Sequence, residues 1–355
     1  MAWVKSRYSK NQKLILKNYD LCSSCIKRNP CGLRLKKKII SSHCFICGGL
    51  FNKINQVVDK ILYIIKSNGY EYTSFSIGTS LPLNMFDRED HYRSILKVKG
   101  IENIKTSFNN LIRCEFKRRT KKKLILSKPD IMINVKILPT SKFSVDVISN
   151  NIYLFCRYNK KKMMPQRDTQ MSVERIIKDN LLNYTNANDV LINWHGGEDD
   201  NSLVLGNGRA FSVNVINPRM RNIKKKSFQD NGISFRINEV SDSLNNKNTI
   251  NFITKIKNYV ETQAPIDPKN LKQINLLSNS IVQYRYKSKL IKKQVYTIST
   301  KLLDPFHFVV TCLCDKGLFI KQFVEGRDWI DPNLSSQISN ECKCLKFDIL
   351  DVFTS

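Results

Sequence analysis

The chain has 355 residues, 59 of them Lys or Arg and 30 Asp or Glu, so its formal net charge is 59 − 30 = +29, with a pI near 9.7. Apolar residues make up 41% and aromatics 10%, which excludes a disordered polycation, because disorder at high charge needs low hydrophobicity. The length predicts about two domains, and the charge surplus predicts a polyanionic partner.

No run approaches the 18 apolar residues of a membrane-spanning helix, and the N-terminal stretch MAWVKSRYSKNQKLILKNYD has no apolar signal core. A soluble intracellular protein, of nucleus or cytoplasm, is the expectation. Eleven Cys in a reducing compartment then read as thiols or metal ligands. Residues 1–60 carry 13 basic against two acidic residues, a net of +11, and residues 301–355 carry six against eight, a net of −2. Basic runs such as Lys36–Lys38 and Lys224–Lys226 are scattered rather than gathered on one amphipathic helix, as membrane-surface binding would require. Any single run reads as a solvated face, but their sum favours nucleic acid over membrane.

Residues 20–50 form a basic, Cys-rich knuckle. Residues 51–68 carry Ile54, Val57, Val58, Ile61, Ile64 and Ile65 at helical spacing, and Asn68-Gly69 stops that helix. The segment YEYTSFSIGTS alternates and predicts a strand. Residues 90–118 predict one helix, and IMINVKI, SVDVI and NIYLFCRY predict strands, so the front half is an α/β unit. The polar, proline-bearing segment KKKMMPQRDTQ predicts the domain boundary, giving domains 1–168 and 169–355. A helix then opens in SVERIIKDNLL, with Ser172 as N-cap and Glu174 in its first turn. A Gly-rich loop (195–208), the strand AFSVNVI and the β-rich runs KKQVYTIST, FHFVVTCLC and LFIKQFV complete the back half. The Lys/Asn-rich stretch SLNNKNTIN predicts a surface loop.

Two constellations carry chemistry. Cys22-x-x-Cys25 and Cys44-x-x-Cys47 lie 18 residues apart, and two such knuckles supply four thiolates to a tetrahedral zinc with no open position, hence a structural one. Cys31 and His43 are nearby substitutes for one ligand. Cys312-x-Cys314 and Cys342-x-Cys344 read as strand-core thiols, with a second metal site as the other option. The other constellation is Trp194-His195-Gly196-Gly197-Glu198-Asp199-Asp200, leading to Leu205-Gly206-Asn207-Gly208-Arg209-Ala210-Phe211. Its glycines permit close approach of a ligand. Three acids in a basic chain read equally as a reactive loop or as a solvated one.

The segment GGEDDNSLVLGNGRAF, with Val215-Ile216-Asn217-Pro218-Arg219 after it, resembles the catalytic motif of the archaeal and eukaryotic "Pus ten" family, pseudouridine synthases that modify T-loop uridines of tRNA. That family writes the stretch as GREDVDVRxLGxGRPF. The run from Cys314 to Gly326 resembles its AGTYIKEFVHG, and Asp331-Pro332-Asn333-Leu334 its KPNIG. Arg157-Tyr158-Asn159-Lys160 with Pro165-Gln166 resembles its RYxK…PQT. Tyr70–Phe75 and the two knuckles resemble its zinc-bearing, THUMP-containing front domain, so the likeness covers nearly the whole chain.

The resemblance implies an α+β protein: a zinc-bearing, THUMP-like α/β RNA-binding domain, then a pseudouridine synthase domain with a mixed, mostly antiparallel sheet. It implies isomerisation of uridine to pseudouridine in the T-loop of tRNA, at positions 54/55. The catalytic aspartate carries over onto Asp199, a nucleophile that needs no organic cofactor and acts on a uridine flipped from its stack. Lys321 takes the family's basic position beside the Asp, where it keeps the carboxylate ionised. Lys257-Asn258-Tyr259 resembles KxYxA and points to Tyr259 as the aromatic against the base, with an ordinary core tyrosine as its other reading. The partner implied is tRNA, the metal structural Zn2+, and a monomer is expected. Gly197, Asn201 and Leu203 depart from the family's Arg, Asp and Arg, which leaves a catalytically degenerate, zinc-containing RNA-binding protein as the competing reading. A methyltransferase reading would need a G-x-G loop after a strand, whereas Gly206-x-Gly208 precedes one. The string Asp87-Arg88-Glu89-Asp90 also contains RED, but reads as a segment before a helix and lacks the GNGR-F continuation.

Overall fold

The computed structural model describes residues 19–29, 44–139, 142–167, 169, 171–243, 252–287, 289–327 and 329–354. Cys31, His43, Lys36–Lys38 and most of SLNNKNTIN lie outside the described residues. Two compact units emerge, one of the described residues up to Asn150 with Arg219–Arg221, the other of 151–218 and 222 onward. The division falls after Asn150, ahead of the 160–170 segment where the sequence places the boundary. The cause is strand pairing: Ile152–Lys160 hydrogen-bonds on both sides into the sheet of the second unit.

The first unit opens with the short helix α1 (Ser23–Arg28) and, after a 3-10 turn at Leu50–Lys53, continues into α2 (Ile54–Ser67). The helical spacing of Val57, Val58, Ile61 and Ile65 becomes one buried stripe. Next come β1 (Ser74–Ser80), α3 (Leu83–Leu96), α4 (Ile104–Thr120), β2 (Lys123–Leu124), β3 (Ile131–Ile137) and β4 (Phe143–Ser149). The strands form a sheet in the order β2-β1-β3-β4, with β1 parallel to β2 and β3, and β4 antiparallel to β3. Strict alternation in β3 buries Ile131, Ile133, Val135 and Ile137, each worth roughly 1.5–3 kcal/mol against exposure. Phe75 of β1 meets Phe116 of α4 edge-on at 4.7 Å.

The single helix expected over 90–118 is two helices. Lys97 ends α3 in the left-handed region (φ 51), and Asn103 caps α4 by accepting a hydrogen bond from Thr106 N. α3 has few apolar positions because its buried face includes Glu89. That carboxylate pairs with Arg28 and Arg93 and accepts the Ile104 amide at the start of α4 (2.9 Å). The RED string at Asp87–Asp90 therefore lies inside a helix and serves packing.

The second unit contains β5 (Ile152–Lys160), α5 (Val173–Thr185), β6 (Asp189–Trp194), β7 (Val204–Ile216), β8 (Ser227–Asp230), β9 (Ile233–Ser241), β10 (Phe252–Thr262), α6 (Pro268–Asn275), β11 (Ser280–Tyr286), β12 (Lys289–Asp304), β13 (His307–Asp315), α7 (Ile320–Glu325), α8 (Leu334–Ile338) and β14 (Cys342–Thr354). Ten strands make one sheet in the order β11-β12-β13-β10-β14-β7-β5-β9-β8, with β6 paired to β7. Among the described residues of this sheet, only the β14–β7 pairing, Ile349 with Val204, is parallel, so the sheet is mixed and mostly antiparallel, as expected. Ser172 caps α5 by accepting from Arg175 N. The sequence does not predict β6, and LFIKQFV, expected to be β-rich, forms the helix α7. Gly317 (φ 81) turns the chain before it and Gly326 (φ 73) ends it, so a short apolar run that fits either period is resolved by its flanking turns. Cys312 and Cys314 of β13 and Cys342 and Cys344 of β14 are buried in the core of this unit. No helix among the described residues is long and apolar enough to cross a membrane.

Candidate active site and metal centre

The acidic loop hangs between the ends of β6 and β7. Below it, Trp194 packs on Tyr158 (5.4 Å between ring centroids) and Phe211 (5.6 Å). At Gly196 the backbone takes φ +135, and a Cβ there would meet Arg209 Nη2 at 2.0 Å, so the arginine can cross this point only because the residue is glycine. The next side chain, Glu198, turns inward and is fully buried. It receives Tyr158 OH at 2.6 Å and faces Lys160 Nζ at 3.1 Å and Arg209 Nη1 at 3.8 Å. Gln166 Nε2 donates to Tyr158 OH at 3.0 Å. Burial and the neighbouring Glu198 push the Tyr158 hydroxyl well above its ordinary pKa, so it stays a donor.

Lys160, fully buried at the end of β5, holds the loop from beneath. Its ammonium donates to Met164 O (3.0 Å), Asp199 O (3.1 Å) and Asp200 O (3.5 Å) while pairing with Glu198. Ser202 N closes a turn on Asp199 O (3.0 Å), and Asp348 Oδ1 accepts Leu203 N (3.0 Å). The loop backbone is thus fixed on both sides of Asp199.

The Asp199 side chain itself points into a cavity of about 560 Å³, a size suited to a small organic ligand. Lys321, on α7, lies 2.8 Å from Asp199 Oδ2, and both remain partly exposed, at 50% and 34%. The hydrogen bond to Asp199 raises the Lys321 pKa, which keeps it cationic. Arg209 and Lys316 add positive charge to the wall, and His195, Phe252, Phe319 and Phe347 supply aromatic surface. Burial, with Lys316 and Arg209 nearby, lowers the His195 pKa, so this ring is neutral at neutral pH.

Of the three residues assigned to chemistry from the sequence, Asp199 and Lys321 are brought together and Tyr259 is not. β10 alternates: Phe252, Thr254 and Ile256 face the cavity, and Tyr259, an odd step away, shares the other face with Lys255 and Lys257. Its ring lies under Lys346 Nζ (4.6 Å) and Lys257 Nζ (4.9 Å). Sequence reasoning gave no role to Glu198, Lys160, Tyr158, Gln166 or Arg209. The signal available for three of them was the likeness of Arg157–Lys160 and Pro165-Gln166 to the family's RYxK…PQT. At Gly197, where the family has Arg, a Cβ would meet open space, so the missing charge is a matter of residue choice and not of room.

In the first unit, Cys22 and Cys25 at the start of α1 meet Cys44 and Cys47, whose turn is joined to them by Phe45 N to Asp20 O (2.7 Å). All four are buried, with their sulfurs within 4.8 Å of one another and Cys22 and Cys47 at 3.6 Å. Four sulfurs about 2.3 Å from a tetrahedral ion would lie about 3.8 Å apart, so the cluster fits one. Thiol hydrogen bonds among them lower Cys22 to about 7 and Cys44 further, and raise Cys25 and Cys47. Arg28 Nη2 donates to Cys25 Sγ at 3.2 Å, a cation suited to an anionic thiolate set. The remaining cysteines do not gather into such a group among the described residues.

Comparisons with known proteins agree over both units. The family model described as Pus10, C-terminal, matches residues 148–353, and that of the archaeal Pus10 THUMP domain matches residues 58–136. A Nitrosopumilus maritimus protein named tRNA pseudouridine synthase Pus10 is 32% identical over 375 aligned positions, covering 95% of this chain and 96% of that one. Proteins of the same name from Pyrobaculum arsenaticum (24% identical, 94% and 86% covered) and Thermoplasma acidophilum (26% identical, 88% and 85% covered) also match. A solved structure described as an H/ACA RNP bound to a substrate RNA containing 2′-deoxyuridine overlays with a TM-score of 0.33 at 6% identity, over 55% of this chain and 46% of that one, which is too weak to argue from. With family models spanning both units and a relative at 32% identity along nearly its whole length, the chain belongs to the Pus10 family of tRNA pseudouridine synthases.

Proposed function

We propose that this protein isomerises uridine to pseudouridine in the T-loop of tRNA, at positions 54/55, with Asp199 as the nucleophile. The observation that carries the reading is the pairing of Asp199 with Lys321 at 2.8 Å in an open cavity, on a loop where Glu198, the acid beside it, is buried. Cleavage of the C1′–N1 bond and re-attachment through C5 needs an ionised carboxylate, and Lys321 stands 2.8 Å from it as counter-ion. The uridine must leave its stack. Aromatic faces to receive the uracil are supplied by the cavity wall, where Phe252 and His195 lie 6.1 Å apart beside Phe319 and Phe347, and not by Tyr259, which is on the other side of the sheet. Lys160 and Glu198 touch no substrate in this scheme and act by positioning.

Incubating an unmodified tRNA transcript with the protein and mapping pseudouridine tests it directly. New pseudouridine confined to the T-loop is the expected result, and tight tRNA binding with no pseudouridine would instead favour the degenerate RNA-binding reading that Gly197 and Leu203 raise.

The ion at the four cysteines is proposed to be zinc, held by Cys22, Cys25, Cys44 and Cys47 in a structural role. Binding free energy at such a site is folding free energy. The full chain, purified without chelator, should contain one zinc, and Cys47→Ser should lose it. Chelation should abolish protection of α1–α4 amides against hydrogen exchange and spare the β10–β14 strands. Metal analysis finding no zinc in wild type would contradict this.

A further inference from the structure

Beside the catalytic cavity, in the same unit, lies a second hollow of about 400 Å³. It shares Phe319, Gln322 and Arg327 with the first, so the two are continuous. Its surface is aromatic and cationic. Along β11 one face runs outward from Val282 and Tyr284, which are buried, to Tyr286, which is 49% exposed. Tyr284 is fixed by its hydroxyl on Gly317 O (2.5 Å) and packs on Phe319 at 4.9 Å, while Tyr286 meets Phe319 at 5.6 Å. Lys287 Nζ lies 5.6 Å from the Tyr286 ring centroid.

The opposite wall is supplied by Arg327, Trp329 and Ile330. Gln283 and Asp331 pair in both directions, N to O at 2.7 and 3.0 Å, which ties this segment to the edge strand. Asn333 Nδ2 holds Ile330 O at 3.1 Å, and Ile330 is buried at 2%. Immediately ahead of these anchors Trp329 takes φ +58 and stands 93% exposed. A tryptophan in the left-handed region is uncommon, and such strain is retained where surrounding structure imposes it, often at functional sites. Here it turns the largest apolar side chain outward, over a groove with Arg285, Lys287 and Arg327. Glu325 holds Arg327 through Nε at 3.0 Å, and the Arg327 side chain is 73% exposed.

Exposed aromatic rings beside basic side chains make a platform for unpaired bases: the rings stack, and the cations meet the backbone. We infer that this groove is a second nucleotide subsite, in which an unpaired base neighbouring the target uridine stacks on Trp329, Tyr286 and Phe319 while Arg327 and Lys287 meet its phosphates. The proposal rests on the reading of the adjoining cavity as the uridine pocket. Its role is to hold the strand once the target base has flipped, so that loss of stacking at one nucleotide is replaced by stacking at the next.

The test uses the full chain and unmodified tRNA transcripts. Trp329→Ala and Tyr286→Ala should each weaken transcript binding about tenfold, the scale of one lost base–aromatic stack, and lower kcat/KM by a similar factor. Trp329→Phe should restore most of the affinity. Transcripts with a single abasic site at each unpaired position one or two nucleotides from the target uridine locate the base. One of them should bind wild type about tenfold more weakly and bind Trp329→Ala with no further loss, the signature of a coupled pair. Wild-type affinity in the Trp329→Ala/Tyr286→Ala double variant, or equal loss with every abasic transcript, would overturn the subsite and leave the aromatic patch to another kind of contact. Because Trp329 and Tyr286 are exposed, lost binding with unchanged thermal unfolding reports the surface and not the fold. If wild type makes no pseudouridine yet the abasic coupling holds, the catalytic reading fails and the subsite stands.

Discussion

Replacing Asp199 with Asn is expected to abolish pseudouridine formation, a loss on the order of 10⁶-fold or more given how slow uncatalysed glycosidic cleavage is, while tRNA binding holds or tightens slightly. The amide keeps the size and polarity of the side chain but supplies no anion to attack the sugar or base. The substitution ends the ion pair with Lys321, yet both partners are partly exposed, and a pair in that setting contributes at most about 1 kcal/mol to stability. The loop is held by other atoms: Lys160 grips the carbonyls of residues 199 and 200, and Ser202 closes the turn. The fold should therefore survive and the assay should read chemistry alone. Asp200→Asn is the control, because its side chain is exposed and the cavity wall does not include it. It should retain substantial activity. An active Asp199→Asn beside a dead Asp200→Asn would move the nucleophile by one residue. Pseudouridine mapped by reverse transcription after chemical adduct formation gives the readout in both cases.

Asp199 and Lys321, the proposed nucleophile and its cation, are visible in the sequence because motifs carry them; the parts around them are visible only where local pattern decides structure. Alternation in IMINVKI and NIYLFCRY and the Ser172 cap lead straight to β3, β5 and α5, since burial of one face and one capping bond fix them. The first half of α3 and its separation from α4 are missed, because the buried position Glu89 is charged and is compensated by Arg28, 61 residues away. LFIKQFV misleads because six or seven apolar-rich residues satisfy both periods. Tyr259 shows how unforgiving a strand is: a single-residue step moves a side chain to the opposite face of the sheet, so a motif matched without its register assigns the wrong face. The Lys160–Glu198 pair is 38 residues apart in the chain, has no local signature, and is set by the pairing of β5 with β7.

That buried pair carries the second large expectation. Lys160→Met removes the lysine contact of a carboxylate that has no exposure to solvent, leaving Glu198 with Tyr158 OH and the more distant Arg209. An uncompensated buried charge costs about 3–5 kcal/mol, which in a unit of this size lowers Tm by roughly 10 °C. Some of that loss is avoidable, because the penalty belongs to the orphaned charge. Lys160→Met combined with Glu198→Leu removes both charges and replaces them with apolar volume, and such paired replacements are often neutral, so Tm should largely recover. Activity should not. In the double variant Asp199 O and Asp200 O have still lost the ammonium that held them, and the backbone of Asp199 is free to shift within the cavity. A displacement of about 1 Å at a reacting group costs on the order of 100-fold in rate, so kcat should stay about that far below wild type while KM for tRNA changes little. Calorimetry and single-turnover kinetics on the four corners of this cycle separate the two effects. Recovery of both stability and kcat in the double variant would mean that the pair only fills space; recovery of stability alone identifies Lys160 as the residue that holds Asp199 where it reacts.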